Sequence, residues 1–202
     1  MEFDAVIKKR RSVRNFKNKA PSWKDVLEAI DSANQGPFAA NHNNLKFLII
    51  EDKEKIKEIS KHCEQDWMED LSLIVIVCSD DMHLENIFGE KGRVYSRQQA
   101  GAAIHTFCLK LVDLGLQSCW VGAYHDSIIR EMLSIPGHIQ IEAIVAVGYG
   151  TGKIEKKEKK KLEGEVYWNV WRRTRRMPFY EKNLENYGRN ILEDRKYEKE
   201  GY

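Results

Sequence analysis

A chain of 202 residues, 42% of them hydrophobic, is long enough for one domain with a sizeable core and short for two. Its 33 basic and 31 acidic residues leave a net charge of +2, so no global field points to nucleic acid or an anionic membrane. No apolar run approaches the roughly 20 residues of a bilayer span, and the start, Met1–Ile7, lacks the order of a secretion signal.

Phe3, Val6 and Ile7 repeat at helical spacing and predict a short helix running into the basic cluster Lys8–Arg11. Pro21-Ser22 opens a second helix, on which Trp23, Val26, Leu27 and Ile30 form one apolar stripe, and Gly36-Pro37 stops it. Residues 38–44 read as a polar, Asn-rich loop. Leu45–Ile50 reads as a strand and Lys53–Cys63 as a short charged helix. The unbroken aliphatic run Leu71–Cys78 suits a strand covered on both faces. Residues 82–92 read as an irregular surface excursion. The longest helix is expected over 95–114, with small residues from Ala100 to Ala103 for close packing and Gly115 at its end.

Ser118–Val121 reads as a buried strand ending in Gly122-Ala123, Asp126 as the cap of a helix through Leu133, and Ile141–Val147 as a fourth strand. Cys63, Cys78, Cys108 and Cys119 are scattered without C-x-x-C spacing, which predicts buried free thiols in a reducing cytoplasm. From Gly150 the aliphatic content falls. Lys153–Lys161 is nearly all charge, and residues 178–202 form a polar tail, expected to lie on another subunit as an arm or to be partly disordered. Helices separated by short strands predict an α+β or α/β sandwich.

Three constellations could carry chemistry. Arg10, Arg11, Ser12 and Arg14 put three guanidiniums and a hydroxyl within five positions, suited to gripping phosphate. A basic run is most simply a solvated face; here Val13 and Phe16 alternate with the arginines, so the segment is expected to be partly buried. The loop from Gly36 through Asn44, with Pro37, Phe38, Asn41 and Asn43, offers amides able to read the edge of a heteroaromatic ligand, although Asn also simply suits turns. The strand end Cys119-Trp120-Val121-Gly122-Ala123 exposes backbone N–H groups that a planar ligand can approach, or is an ordinary strand end.

Other features lead nowhere. Gly148, Gly150 and Gly152 follow a strand, but Lys153 stands where a dinucleotide fingerprint needs its third glycine, and Val147 where a P-loop needs its first. The six histidines show no metal spacing, and no nucleophile elbow occurs. An active protein without catalytic side chains implies that a cofactor carries the chemistry.

Taken in order, the three constellations resemble the nitroreductase family of FMN oxidoreductases. The N-terminal R-R-S-x-R-x-F pattern matches at Arg10, Arg11, Ser12, Arg14 and Phe16. The family loop P-S-x-x-N-x-Q-P-W-x-F corresponds to Pro37 through Phe47, with Asn41 and Phe47 kept and Asn43 in the glutamine place. L-G-L-x-S-C-W-x-G matches at Leu114–Leu116, Ser118–Trp120 and Gly122, and Gly148-Tyr149 ends the last core strand. Phe38, Asn44-Leu45 and Gly150 depart from the pattern.

The resemblance implies an α+β fold: a three-layer α/β/α sandwich with a central mixed, mainly antiparallel sheet. The FMN-binding domain is expected over 1–177, followed by the arm 178–202. Arg10, Arg11 and Ser12 would hold the phosphate and ribityl chain, with Lys159 closing the clamp. Arg14 would face the N1/O2 edge of the ring, and the Gly122 N–H, flanked by Val121 and Ala123, would point at N5. The resemblance further implies a homodimer with flavin at the interface, so that Pro37, Phe38 and Asn41 come from the other subunit. NADH or NADPH would donate electrons and a small electron-poor acceptor, such as a nitroaromatic or quinone, would receive them in ping-pong turnover. Two other functions compete with this one. A flavin-binding redox sensor or carrier would show negligible turnover. A nucleic-acid binder would use Lys153–Lys161 and Arg172–Arg176, but acidic residues intersperse the first run and no base-stacking platform is apparent.

Overall fold

The most apolar stretches of the sequence become the middle of a four-stranded sheet. In this computed structural model, which describes residues 1–151 and 165–174, the strands are β1 (Leu45–Ile50), β2 (Ile74–Asp80), β3 (Gln117–Val121) and β4 (Ile139–Gly148). Their order is β1-β2-β4-β3, so β2 and β4 are central and β1 and β3 are the edges. Residues Ile74–Ser79 of β2 are all buried, as the aliphatic run requires. All three strand pairings are antiparallel. A parallel bridge between Ser12 and Ser118 adds the N-terminal segment outside β3, making the sheet mixed and mainly antiparallel.

Side chains alternate along the strands and build two cores. On one face, α2 (Trp23–Ala33) and α5 (Lys91–Asp113) set Val26, Ala29, Ile104 and Phe107 against Val75, Val77 and Val145. On the other, α3 (Lys53–His62) and α6 (Asp126–Met132) set Ile56, Ile59 and Ile129 against Ile74, Ile76 and Ile144. Each such buried aliphatic side chain contributes about 1.5–3 kcal/mol. The result is the expected α+β three-layer sandwich. All four cysteines are buried free thiols.

The chain divides into two units, Met1–Ile154 and Glu155–Tyr202. In the second, residues 165–174 include a turn in which Trp168 N–H donates to Arg173 O at 2.7 Å. The run Lys153–Lys161 with Lys159, the expected boundary after residue 177 and the tail 178–202 lie outside the described residues.

Several expectations are corrected. Residues 82–92 are not irregular: α4 (Met82–Phe88) ends at Gly89, and α5 already begins at Lys91. Two glycines broke the apolar period there, yet Gly92 is a packing residue, because a Cβ on it would lie 2.4 Å from the Leu84 backbone. On α2 the buried face is Val26, Ala29 and Ala33, while Trp23 and Leu27 are 56% and 46% exposed. Small side chains bring α2 close to α5 and rotate the larger ones outward. β3 is buried except for Trp120, which is exposed because the strand is an edge. Asp126 is the first residue of α6 rather than its cap, and its carboxylate pairs with Arg130 one turn on. Gly115, at φ +83°, follows the end of α5 as expected.

Candidate functional site

The short helix α1 (Phe3–Lys9) ends where Arg10 turns extended, at φ −58° and ψ 128°. From there the chain is stitched along the outer edge of the sheet. Val13 N–H donates to Ser118 O at 3.0 Å, Lys17 N–H to Tyr149 O at 2.7 Å and Thr151 N–H to Asn15 O at 2.9 Å. Val13 is buried, and the half-buried Phe16 ring stacks on Trp67 with centroids 6.2 Å apart. Ser12 and Arg14 are exposed between these anchors, and Arg10 and Arg11 are half-buried. The alternation in the sequence thus fixes a backbone that presents its cations outward.

That charge is not neutralised among the described residues. Among the described residues, no carboxylate lies within ion-pair distance of Arg10, Arg11 or Arg14. Arg11 Nη1 donates to Arg10 O at 2.6 Å. Burial pushes the Cys119 thiol up, and the nearby Arg14 guanidinium pulls it partly back. Cys108 is likewise raised by burial, against Ser118 and the charge of Arg10. Both thiols therefore stay protonated at neutral pH and supply no nucleophile.

At the far end of β3, Val121 buries its side chain in the second core while Gly122 and Ala123 are exposed. Neither Gly122 N–H nor Ala123 N–H meets an acceptor among the described residues. Open space surrounds Gly122 where a Cβ would stand. At the near end, the buried Gln117 Oε1 has no hydrogen-bond partner among the described residues. Gln117 and Val13 flank the same side of Gly150, where a Cβ would meet Gln117 Cγ at 3.0 Å and Val13 Cγ1 at 3.2 Å. Sequence reasoning missed Gln117; its signal is a polar residue at the head of an apolar strand.

The Asn-rich loop is a built structure rather than a slack turn. Pro37 is exposed and Phe38 packs on the first core. Ala39–Asn41 form a 3-10 turn, with Ala40 and Asn41 at φ 50° and 55°. Ala39 N–H donates to Gln99 Oε1 at 3.1 Å, and Gln99 Nε2 donates to His42 O at 3.3 Å and to Asn44 Oδ1. Asn43 donates to Asn34 Oδ1 at 3.0 Å and accepts from Leu45 N–H at 3.0 Å. Asn44, only 2% exposed, donates to Asp80 O and Ser96 Oγ, both at 2.8 Å. Asn41 is exposed, and its side chain is not engaged among the described residues. Thus Asn43 and Asn44 hold the loop while Asn41 is presented by it. In the sequence Asn44 stood out only as a departure from the family proline.

The polar network continues into charge. The β2–β4 register jumps from Val77↔Ala143 to Cys78↔Ile141, which leaves Glu142 as the extra residue of a β-bulge. The bulge turns Glu142 toward α5, where it meets Ser79 and Arg97. Arg97 also grips Asp81 through contacts of 2.7 and 3.1 Å. Burial opposes the Asp81 carboxylate, yet hydrogen bonds from Arg97 and Ser96 hold it below its usual value. Glu142 is pushed up by burial, which Ser79 and Arg97 only partly offset. One guanidinium thus serves two carboxylates.

The structure separates the expected site residues into two groups. Arg10, Arg11, Ser12, Arg14, Val121, Gly122 and Ala123 lie along the β3 edge. Pro37, Phe38, Asn41 and Asn43 precede β1, at the opposite edge. Three strand spacings, about 14 Å, lie between the edges. Among the described residues no group of three His, Cys, Asp or Glu side chains is placed to hold a metal, and no helix is long and apolar enough to cross a membrane.

A two-faced helical sandwich around this sheet is the architecture of solved nitroreductases. The chain belongs to the nitroreductase family, whose profile matches residues 7–70 and 61–149. It is 26% identical over 160 residues to the iodotyrosine deiodinase of Thermotoga neapolitana, covering 71% of this chain and 86% of that one. Over 196 residues it is 21% identical to the FMN reductase [NAD(P)H] of Bacillus subtilis, covering 88% and 79% respectively. Its fold matches that of the FMN-dependent nitroreductase from Clostridium difficile R20291 with a TM-score of 0.68 and 23% identity, over 82% of this chain and 98% of that one.

Proposed function

We propose that the protein is a homodimeric, FMN-dependent oxidoreductase that takes electrons from NADH or NADPH and passes them to a small electron-poor acceptor. The observation that carries this is the cluster Arg10, Arg11 and Arg14, which meets no carboxylate among the described residues and lies along the same β3 edge as Gly122, whose N–H meets no acceptor among them. Three guanidiniums gathered without a carboxylate among the described residues repel one another unless solvent or an anion compensates them, and a phosphate-bearing coenzyme supplies such an anion. When bound, FMN would supply hydride-accepting and electron-donating chemistry that no side chain here provides.

The chain's own residues bind, orient and tune. Arg10, Arg11 and Ser12 hold the phosphate and ribityl chain. Arg14 places a fixed positive charge at the pyrimidine edge of the ring. Next to Val121, whose side chain anchors the strand end in the core, Gly122 and Ala123 offer backbone N–H groups, and the bare Gly122 permits close approach of a flat ring. In this arrangement the loop carrying Pro37, Phe38 and Asn41 completes the site from a second copy, a reading supported by the separation of the two edges within one chain. Phe38 and Asn43 act there by fixing the loop that presents Asn41. The names of its relatives span deiodination, flavin reduction and nitro reduction, so the acceptor is assigned only by its electron deficiency. Four buried thiols suit a reducing cytoplasm.

Mixed dimers test this reading. An Arg14→Ala chain and an Asn41→Ala chain each spoil both sites of their own homodimer. If each site draws on two subunits, the heterodimer of the two holds one fully intact site, and flavin absorbance should recover to about one tight FMN per dimer. Recovery no greater than the average of the two parents places both residues in one chain's site and overturns the shared architecture. Parent protein that takes up no FMN overturns the whole proposal.

A further inference from the structure

A second constellation lies on the β1 edge, next to the loop that presents Asn41 and sharing Asn43 with it. Between the start of β1 and the start of α4 is an open cleft of about 360 Å³, lined among others by His42, Lys46, Asp80, His83 and Asn86. The His42 and His83 rings face each other with centroids 3.9 Å apart and planes 36° from parallel. One wall is held in place, because the buried Asn44 donates to Asp80 O and Ser96 Oγ and the exposed Asn43 donates to Asn34 Oδ1. The side chains of His42, Lys46, His83 and Asn86 have no hydrogen bond or ion pair among the described residues. Facing them is one carboxylate, Asp80, whose Oδ1 already accepts from Met82 N–H at 3.1 Å.

We infer that this cleft is a phosphate subsite for the nicotinamide dinucleotide donor, with His42, Lys46, His83 and Asn86 as its hydrogen-bond donors. The inference rests on the proposed use of such a donor. An ammonium, two imidazoles and an amide against one partly used carboxylate form a donor-rich surface that suits an anion with several acceptor oxygens. A metal fits poorly, since the rings lie over one another and Asp80 does not join them in a three-ligand group. The sequence also carries no G-x-G-x-x-G fingerprint, the turn that holds dinucleotide phosphates elsewhere, which leaves that task to groups such as these side chains. Position agrees: His42 and Asn43 of the cleft directly follow Asn41 in the loop that presents it.

Two sources share that chemistry, the pyrophosphate bridge of both donors and the 2′-phosphate of NADPH alone. The full chain, as purified with its flavin, is titrated with inorganic pyrophosphate and separately with adenosine 2′-phosphate while the imidazole resonances of His42 and His83 are followed by NMR. At least one probe should move both. In parallel, KM for NADH and NADPH is measured for Lys46→Met and His83→Gln, with flavin content read by absorbance. Loss of one charge-assisted hydrogen bond should raise KM about tenfold while flavin content holds. A rise for both donors assigns the pyrophosphate, and a rise for NADPH alone assigns the 2′-phosphate. Unmoved imidazoles with unchanged KM for both donors overturn the inference. A colourless protein instead sinks the flavin reading, so the two failures are distinguishable.

Discussion

The Phe16 ring lies against Gly148 so closely that a Cβ on residue 148 would come within 2.9 Å of Phe16 Cδ1. Gly148 closes β4, and Phe16 is the anchor that follows the arginine segment, bridged to Gly150. The contact therefore ties the last core strand to the position of Arg14. Gly148→Ala should force the ring aside and cost about 1–3 kcal/mol through overpacking. Thermal unfolding should show a lower Tm, and FMN should be retained less tightly because the cationic segment loses its anchor. An unchanged Tm would mean that Phe16 yields freely and does not set the position of the segment.

Arg14 is exposed, and its charge is felt at Cys119 on the neighbouring strand. A fixed cation at the pyrimidine edge favours the reduced, more negative ring. Arg14→Ala should lower the flavin midpoint potential, by about 20–45 mV if the charge is worth about 1–2 kcal/mol to a two-electron couple. Arg14→Lys should recover part of it. Equilibration against a dye of known potential reads the shift, and a potential that stays put shows that Arg14 is turned away from the ring.

What the sequence displayed and what it hid divide along physical lines. The aliphatic run of β2 and the alternation of Val13 and Phe16 with arginines are local signals, and both segments fold as their patterns imply. The role of Gly92 could not be read, because its reason is the Leu84 backbone of another helix. Asn44 looked like a mere departure, since its partners Asp80 and Ser96 are 36 and 52 positions away. The bulge at Glu142 has no single-residue signature either; it follows from the register that β4 must keep with β2. The two groups of candidate residues were legible as motifs, yet their placement at opposite edges depends on strand order, which no motif contains.

The two carboxylates on Arg97 should respond to pH in opposite directions. Asp81, held below its ordinary value of 3.8, contributes stability that is present above that pH and is lost as pH falls through the depressed value. Asp81→Asn should therefore cost about 1–3 kcal/mol at neutral pH, discounted for the exposure of Arg97, and the deficit should close in acid. Glu142 is raised, so its contribution is present below 4.5 and is lost as pH rises through the raised value. Glu142→Gln should accordingly gain on the parent as pH rises past 4.5. Urea unfolding of all three proteins across pH 3 to 8 checks both signs, and parallel pH curves for parent and variants would sink the assignment.

Gln117 carries a conflict that a ligand could resolve. Its buried Oε1 lacks a partner among the described residues, and an unsatisfied buried acceptor costs about 1–3 kcal/mol. Its side chain neighbours Val13, within the segment that presents Arg10, Ser12 and Arg14. If that acceptor awaits a hydroxyl of the ribityl chain, the same substitution must push two measurements in opposite directions. Gln117→Leu keeps similar volume and removes the orphan, so flavin-free protein should melt at a higher temperature than the parent. The lost acceptor should weaken FMN binding about tenfold, the worth of one hydrogen bond in a dry site. Calorimetry on apoprotein reads the first effect and fluorescence titration with FMN the second. A stabilised apoprotein with undiminished flavin affinity would show that the orphaned oxygen is a tolerated packing defect with no part in binding.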